Sequence, residues 1–205
     1  VNQIAEAQLS SSDQSKYDVL MFAGVKDFSG GEADRIADFV HEGGGLLIFA
    51  GKEMDINNYN NVLFPRLEIP KAQPQRVFST IGARTSQSVS SYLTFGKVEF
   101  DHPLFAELFE QHSAKKSSPA IESPSVYTTI APQAGAKGSS IILLSDGTNF
   151  LTEYQHGAGR VLLYSVEAGL TWSDFPLKGL FVPLLYRSGL YLSQTQAVKS
   201  FTVGE

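Results

Sequence analysis

Ser145, Asp146 and His156 are the residue types of a hydrolytic triad, and they lie within twelve positions of one another. A serine becomes a nucleophile when a histidine takes its proton and a carboxylate holds that histidine, which requires hydrogen-bond contact among all three. Asp146-Gly147 is also a tight-turn dipeptide, and in that role Ser145 satisfies backbone groups. The turn is the reading the dipeptide favours. Lys52 and Glu53 are a second candidate, because they follow an apolar strand at the position where α/β sheets place ligands. They read equally as a solvated loop. Trp172 and Asp174 form a third, an aromatic-rich loop before a helix. Here Ser173 or Asp174 can act as cap, and the Trp either anchors a partner or seals the core.

Other chemistry has less to stand on. His41, His102, His112 and His156 are scattered, with no i, i+4 pair beside a carboxylate, so no metal set is expected. Gly43-Gly44-Gly45 comes after a helix and before a strand. A phosphate-cradling loop has the reverse order, strand then glycines then helix, so these glycines are expected to be a helix stop. The chain has no cysteine, which removes disulfides, thiolate metal sites and thiol nucleophiles. No cofactor is expected.

The elements that must position these residues alternate between strand and helix. Residues 17–24 are a short apolar run that predicts a strand buried on both faces. Ser29 with Glu32 predicts a capping box. Ala33, Ile36, Ala37 and Val40 then recur at helical spacing, and residues 46–50 predict a second buried strand. This is a βαβ unit. Residues 55–67 predict a short helix ended by Pro65, and residues 75–80 and 91–100 predict strands. Residues 84–91 and 111–125 read as loops. Asp101 is expected to cap a helix with Pro103 in its first turn and Leu104, Phe105, Leu108 and Phe109 on its apolar face. Residues 126–130, 140–144, 150–154 and 160–165 predict four strands. The turn-rich spacers between the last three imply antiparallel hairpins. Residues 177–192 predict a helix with Pro183 near its start.

The totals fit one α/β domain: 42% hydrophobic residues, 18% charged, net charge −5 and pI about 5.4. An acidic chain with no basic cluster beyond Lys115-Lys116 is a poor match for nucleic acid or anionic lipid, both of which need a basic face. The longest apolar stretch, 179–192, is broken by Arg187 and too short for a bilayer span. The chain opens on Val-Asn-Gln, without Met, and is expected to be a piece of a longer protein.

Four stretches carry a family resemblance. YDVLMFAGV…FSGGEADRIADFVHEGGGLLIFAG is similar to the early βαβ unit of class I glutamine amidotransferase-like domains. EYQHGAGRVLLYSV and WSDFPLKGLFVPLLYR resemble later parts of the amidotransferase-like region of BatA-type bacterial membrane proteins, which also carry a von Willebrand factor A domain, and SFTVGE resembles the opening of a following β domain. The resemblance implies a three-layer, mostly parallel sheet with helices on both faces, flavodoxin-like or amidotransferase-like, with an antiparallel hairpin edge. It implies one domain over 1–198, with 199–205 opening a following segment. It also implies a membrane-anchored, cell-envelope protein whose soluble domain faces the periplasm, with the membrane reached only through other segments.

Class I amidotransferases need a cysteine at the sharp turn after the second strand. Here that elbow reads Ala50-Gly51-Lys52, with no Ser or Thr to substitute. The expectation is therefore a non-catalytic interaction or scaffold domain that contacts other domains of its own chain or another envelope protein. The alternatives are a module for a small polar ligand or glycan around Lys52, Glu53, Trp172 and Asp174, or a hydrolase using Ser145, His156 and Asp146.

Overall fold

The computed structural model describes residues 14–77, 92–106, 108, 121–132 and 138–194. The chain is an α/β fold built on a mixed six-stranded sheet. Strand β1 (Val19–Ala23) leads to helix α1 (Gly30–His41) and back to β2 (Gly45–Phe49), which lies parallel to β1. The sequence dictates α1 closely. Ser29 Oγ accepts from Glu32 N while the Glu32 carboxylate accepts from Ser29 N, a complete capping box. At the far end Gly43 has φ 112°, a conformation open to glycine. Gly44 N donates to Phe39 O and Gly43 N to Val40 O, both 2.9 Å, which is a Schellman stop.

Next comes a compound helical segment: α2 (Ile56–Asn58), a π turn (Tyr59–Leu63) and a 3-10 turn (Phe64–Leu67). Pro65 does not end it. Pro65 is the second residue of the 3-10 piece, and the helical segment runs on past it to Leu67. The remaining strands are β3 (Ala72–Arg76), β4 (Phe95–Val98), β5 (Thr128–Pro132), β6 (Ser139–Leu144), β7 (Asn149–His156) and β8 (Gly159–Tyr164). Helix α3 (Phe181–Ser193) follows, with Pro183 at its third position. A 3-10 turn, Pro103–Phe105, stands where the sequence predicts a helix, and its cap is His102 rather than Asp101: His102 Nδ1 accepts from Leu104 N at 3.2 Å. Leu104 and Phe105 are buried as expected. Phe109, and the expected loops over 84–91 and 111–120, lie outside the described residues, as do His112, Lys115, Lys116 and 199–205.

The sheet order is β1-β2-β8-β7-β6-β4. Only β1, β2 and β8 run parallel; β7, β6 and β4 each oppose their neighbour. The expectation of a mostly parallel sheet is corrected to a mixed one, because two tight turns reverse the chain. Asp146-Gly147, with Gly147 at φ 85°, closes β6 onto β7, and Gly157-Ala158 closes β7 onto β8. β5 is not in this sheet. It pairs with β3 in a separate antiparallel ribbon, attached to the main sheet where Ile130 N donates to Ser165 O at 2.9 Å.

β2 is buried along its whole length, and alternate residues feed two cores. Leu46 and Ile48 join Ile36, Val40, Val161 and Leu163 on the α1 side. Leu47 and Phe49 join Leu162, Tyr164, Leu184 and Leu192 on the α3 side. β1 differs from the expected two-sided burial. It is the sheet edge, and Met21 is 52% exposed.

Candidate functional site

The C-terminal ends of parallel strands are where an open α/β sheet presents a site, and here β1, β2 and β8 end together. Ala50 N donates to Tyr164 O, so Ala50 continues the β2–β8 pairing and is fully buried. The turn beyond it is held by a residue the sequence did not single out. Glu167 Oε1 accepts from Thr171 N at 2.7 Å and Oε2 from Lys52 N at 3.5 Å. A Cβ on Gly51 would come within 3.2 Å of Glu167 Cβ. Glu167 thus ties the elbow Ala50-Gly51-Lys52 to the loop after β8. No nucleophile occupies the elbow. Lys52 Nζ meets Glu53 Oε1 at 3.5 Å, and both side chains stand about two-thirds in solvent.

Trp172 and Asp174 are committed to contacts other than the Lys52–Glu53 pair. Trp172 is 8% exposed and packs into the α1-side core. Its carbonyl accepts from Tyr127 N and Thr128 N, locking the start of β5. Asp174 accepts from Ser125 N at 2.6 Å and pairs with Lys178 at 3.2 Å. Lys178 also bonds Glu122, and these two carboxylates hold its ammonium above the usual lysine range. Both residues work as ties between loops.

Nor do Ser145, Asp146 and His156 converge. Asp146 closes its own turn, accepting from Thr148 N and Thr148 Oγ1, both at 2.9 Å. Ser145 Oγ accepts from Thr94 N at 3.4 Å. Ser145 lies beside the start of β7 and His156 at its end, seven residues along. At roughly 3.3 Å per residue, the two are on the order of 20 Å apart. His156 instead packs edge-on against His41, with ring centroids 5.5 Å apart, and its Nδ1 is 3.5 Å from Glu68 Oε1. Among the described residues no group of three His, Asp or Glu is placed to hold a metal ion.

A polar cluster on β7 escaped sequence reasoning, because its members are 51 and 38 residues apart. Glu153 projects from the middle of β7, and His102 Nε2 lies 3.1 Å from its Oε2. His102 Nδ1 is committed as an acceptor for Leu104 N, so in the neutral ring Nε2 carries the hydrogen and donates. Tyr191 OH donates to Glu153 Oε1 at 2.7 Å. Arg160 Nε stands 3.4 Å from the same oxygen, and the guanidinium lies over the Tyr191 ring, 5.0 Å from its centre. Burial alone would raise the Glu153 carboxyl. The bonds from His102 and Tyr191, aided by the charge of Arg160, outweigh it and hold the group below the usual carboxylate range. Burial and the bonded carboxylate push the Tyr191 phenol up to about 12. With both oxygens engaged, Glu153 joins α3, β8 and the His102 turn as a structural hub.

A different feature marks the surface. Leu177, Val182 and Tyr186 are 72%, 68% and 67% exposed. Val182 and Tyr186 are one turn apart on α3, and Gly189 continues their line with nothing within 4 Å of its Cβ position.

These features define a class, an α/β domain on a mixed six-stranded sheet. Comparison with known proteins makes the likeness more particular. No protein-family model matches the chain, and no curated protein matches it in sequence. Among solved structures it is similar to the cytoplasmic protein STM3548 from Salmonella typhimurium, with TM-score 0.64 and 12% identity over 94% of this chain and 76% of that one. It is similar to the cytoplasmic protein STM1381 from Salmonella typhimurium LT2, with TM-score 0.53 and 14% identity over 90% and 73%. It also resembles part of a β-galactosidase from Bacillus circulans sp. alkalophilus, with TM-score 0.53 and 13% identity over 91% of this chain but 23% of the enzyme. At such identities the likeness is one of fold. The expected membership of the amidotransferase-like region of BatA-type proteins is overturned: no amidotransferase or von Willebrand factor A family model matches, and these neighbours are two cytoplasmic proteins and a glycosidase. The motifs behind that expectation are a capped helix, glycine turns and apolar strands, which many α/β chains share.

Proposed function

We propose that the chain is a non-catalytic interaction module that docks a protein partner on the outer face of α3. The observation that carries this is the exposed apolar pair Val182 and Tyr186 on α3, with Leu177 exposed in the turn that precedes the helix. The inner face of α3 is already committed to the core through Leu184, Ser188, Tyr191 and Leu192. Its sequence holds a single charged residue, Arg187. A surface helix normally turns a charged face to water, and one that is apolar nearly all round is suited to cover on both sides. With α1 and α3 on opposite faces, the domain reads as a three-layer, flavodoxin-like arrangement with an outer helix surface free to dock.

Fully burying such a side chain contributes roughly 1.5–3 kcal/mol. With about two-thirds of each still to bury, the three supply roughly 3–6 kcal/mol. Millimolar affinity needs about 4 kcal/mol and micromolar about 8. The patch therefore suits one anchor of a wider interface or a transient contact. The test is co-purification from the native host of tagged wild type and the Val182→Asp/Tyr186→Asp double variant. The expected result is a protein retained by wild type and lost from a variant of unchanged melting temperature. Retention of the same proteins by both, or of none by either, refutes the proposal.

A further inference from the structure

Helix α3 carries a glycine that the packing of the described residues does not call for. Glycine is a poor helix former because it gives up the most backbone freedom on folding, and Gly189 lies in the interior of α3. Its φ is not left-handed, and among the described residues nothing lies within 4 Å of its Cβ position, so an alanine would fit there. Val182, Tyr186, Gly189 and Ser193 follow one another at steps of four, three and four residues, which is one face of a helix. Val182 and Tyr186 on that face are 68% and 67% exposed.

This line is complementary to itself. Let two copies of α3 cross antiparallel about the midpoint between residues 186 and 189. Tyr186 of each copy then faces Gly189 of the other, and Val182 faces Ser193, because both pairs are centred on the same point. A large ring meets a position that has no side chain, so ridge and groove match where the two helices come closest. Charge points the same way. The chain has net charge −5, so two copies repel wherever their carboxylates meet. Helix α1 bears Glu32, Asp34 and Asp38, whereas α3 bears no carboxylate. We propose that the partner docked on α3 is a second copy of this chain, held in a two-fold antiparallel contact seated on Tyr186 and Gly189. This rests on the docking role given to that face. In a two-fold contact each residue of the patch is used twice. The patch is still narrower than the roughly 20–30 residues a side of a standard interface, so the dimer is reversible and concentration-dependent.

Sedimentation of the purified chain from about 1 μM to about 1 mM tests this. The wild type is expected to pass from monomer to dimer across that span. Gly189→Ala is expected to weaken the dimer roughly tenfold yet to raise the melting temperature of the dilute chain, because the added methyl favours the helix and intrudes only on the second copy. The register has its own readout, since the chain has no cysteine. Under oxidation, Val182→Cys chains are expected to crosslink to Ser193→Cys chains and not to one another, because the two 182 positions lie about 16 Å apart along the helix axis. A chain that stays monomeric, a dimer indifferent to Gly189→Ala, or crosslinks between two 182 positions overturns the proposal. If the chain stays monomeric while positions 182 and 186 still crosslink another protein in the native host, self-pairing fails and the docking role stands. If neither occurs, both fail.

Discussion

Replacing Glu153 by Gln keeps the side chain's size and removes its charge. At pH 7 the wild-type carboxylate accepts from Tyr191 OH at 2.7 Å and from His102 Nε2 at 3.1 Å. Arg160 is farther, at 3.4 Å, and its side chain is 38% exposed, so it counts for little. A hydrogen bond to a charged group contributes about 1.5–3 kcal/mol, and a neutral one about 1. In the Glu153→Gln variant the amide keeps one acceptor for one of the two donors and turns its NH₂ toward the other. The expected loss is about 2–5 kcal/mol, from one charge-assisted bond weakened and one broken. The loss also has a pH signature. The folded carboxyl lies below its ordinary value, so its stabilisation is present above the unfolded value near 4.3 and fades as pH falls through the folded one. Urea unfolding of both proteins at pH 7, 5 and 3 reads this directly. The gap between wild type and variant is expected to hold from pH 7 to 5 and to shrink below about 4. A gap that is absent at pH 7, or unchanged at pH 3, refutes the role given to Glu153.

Gly159→Ala would push a Cβ into the carbonyls of Val40 and Gly44. Because backbone atoms cannot step aside, the expected cost is at least the roughly 1–3 kcal/mol of an overpacked core, read as a lower melting temperature. Ser29→Ala removes the N-cap of α1 and is expected to cost about 1 kcal/mol in urea unfolding. Ser145→Ala removes one 3.4 Å bond at an exposed turn. Its expected effect is within about 0.5 kcal/mol, with no change in ester hydrolysis measured beside wild type. A marked loss of hydrolysis would revive Ser145 as a nucleophile.

What the sequence disclosed was local. The Ser29–Glu32 box, the Gly43 stop and the Asp146-Gly147 and Gly157-Ala158 turns are written in neighbouring residues, and the structure forms each of them. The long-range choices were hidden. Nothing near residue 160 announces that β8 slots beside β2, more than a hundred positions away, or that β5 leaves the main sheet for β3. The polar hub was hidden for the same reason, since His102, Glu153 and Tyr191 meet only when the sheet and α3 are assembled. Trp172 and Asp174 show the opposite difficulty. A Trp beside an Asp in a loop reads as a contact surface, yet the Trp is in the core and the Asp bonds Ser125 N. The outer face of α3 escaped notice because an apolar helix reads as buried until the structure shows that only one side is covered.

The docking role of α3 is tested most directly by site-specific photo-crosslinking in the native host, with the reactive group placed in turn at Val182, Tyr186, Asp38 and Lys97. The first two positions lie on the apolar line; Asp38 and Lys97 are exposed on other elements. The expected result is one discrete crosslinked protein from positions 182 and 186 and none from 38 or 97. Equal crosslinking from all four positions, or none from 182 and 186, would contradict the assignment of that face to a partner.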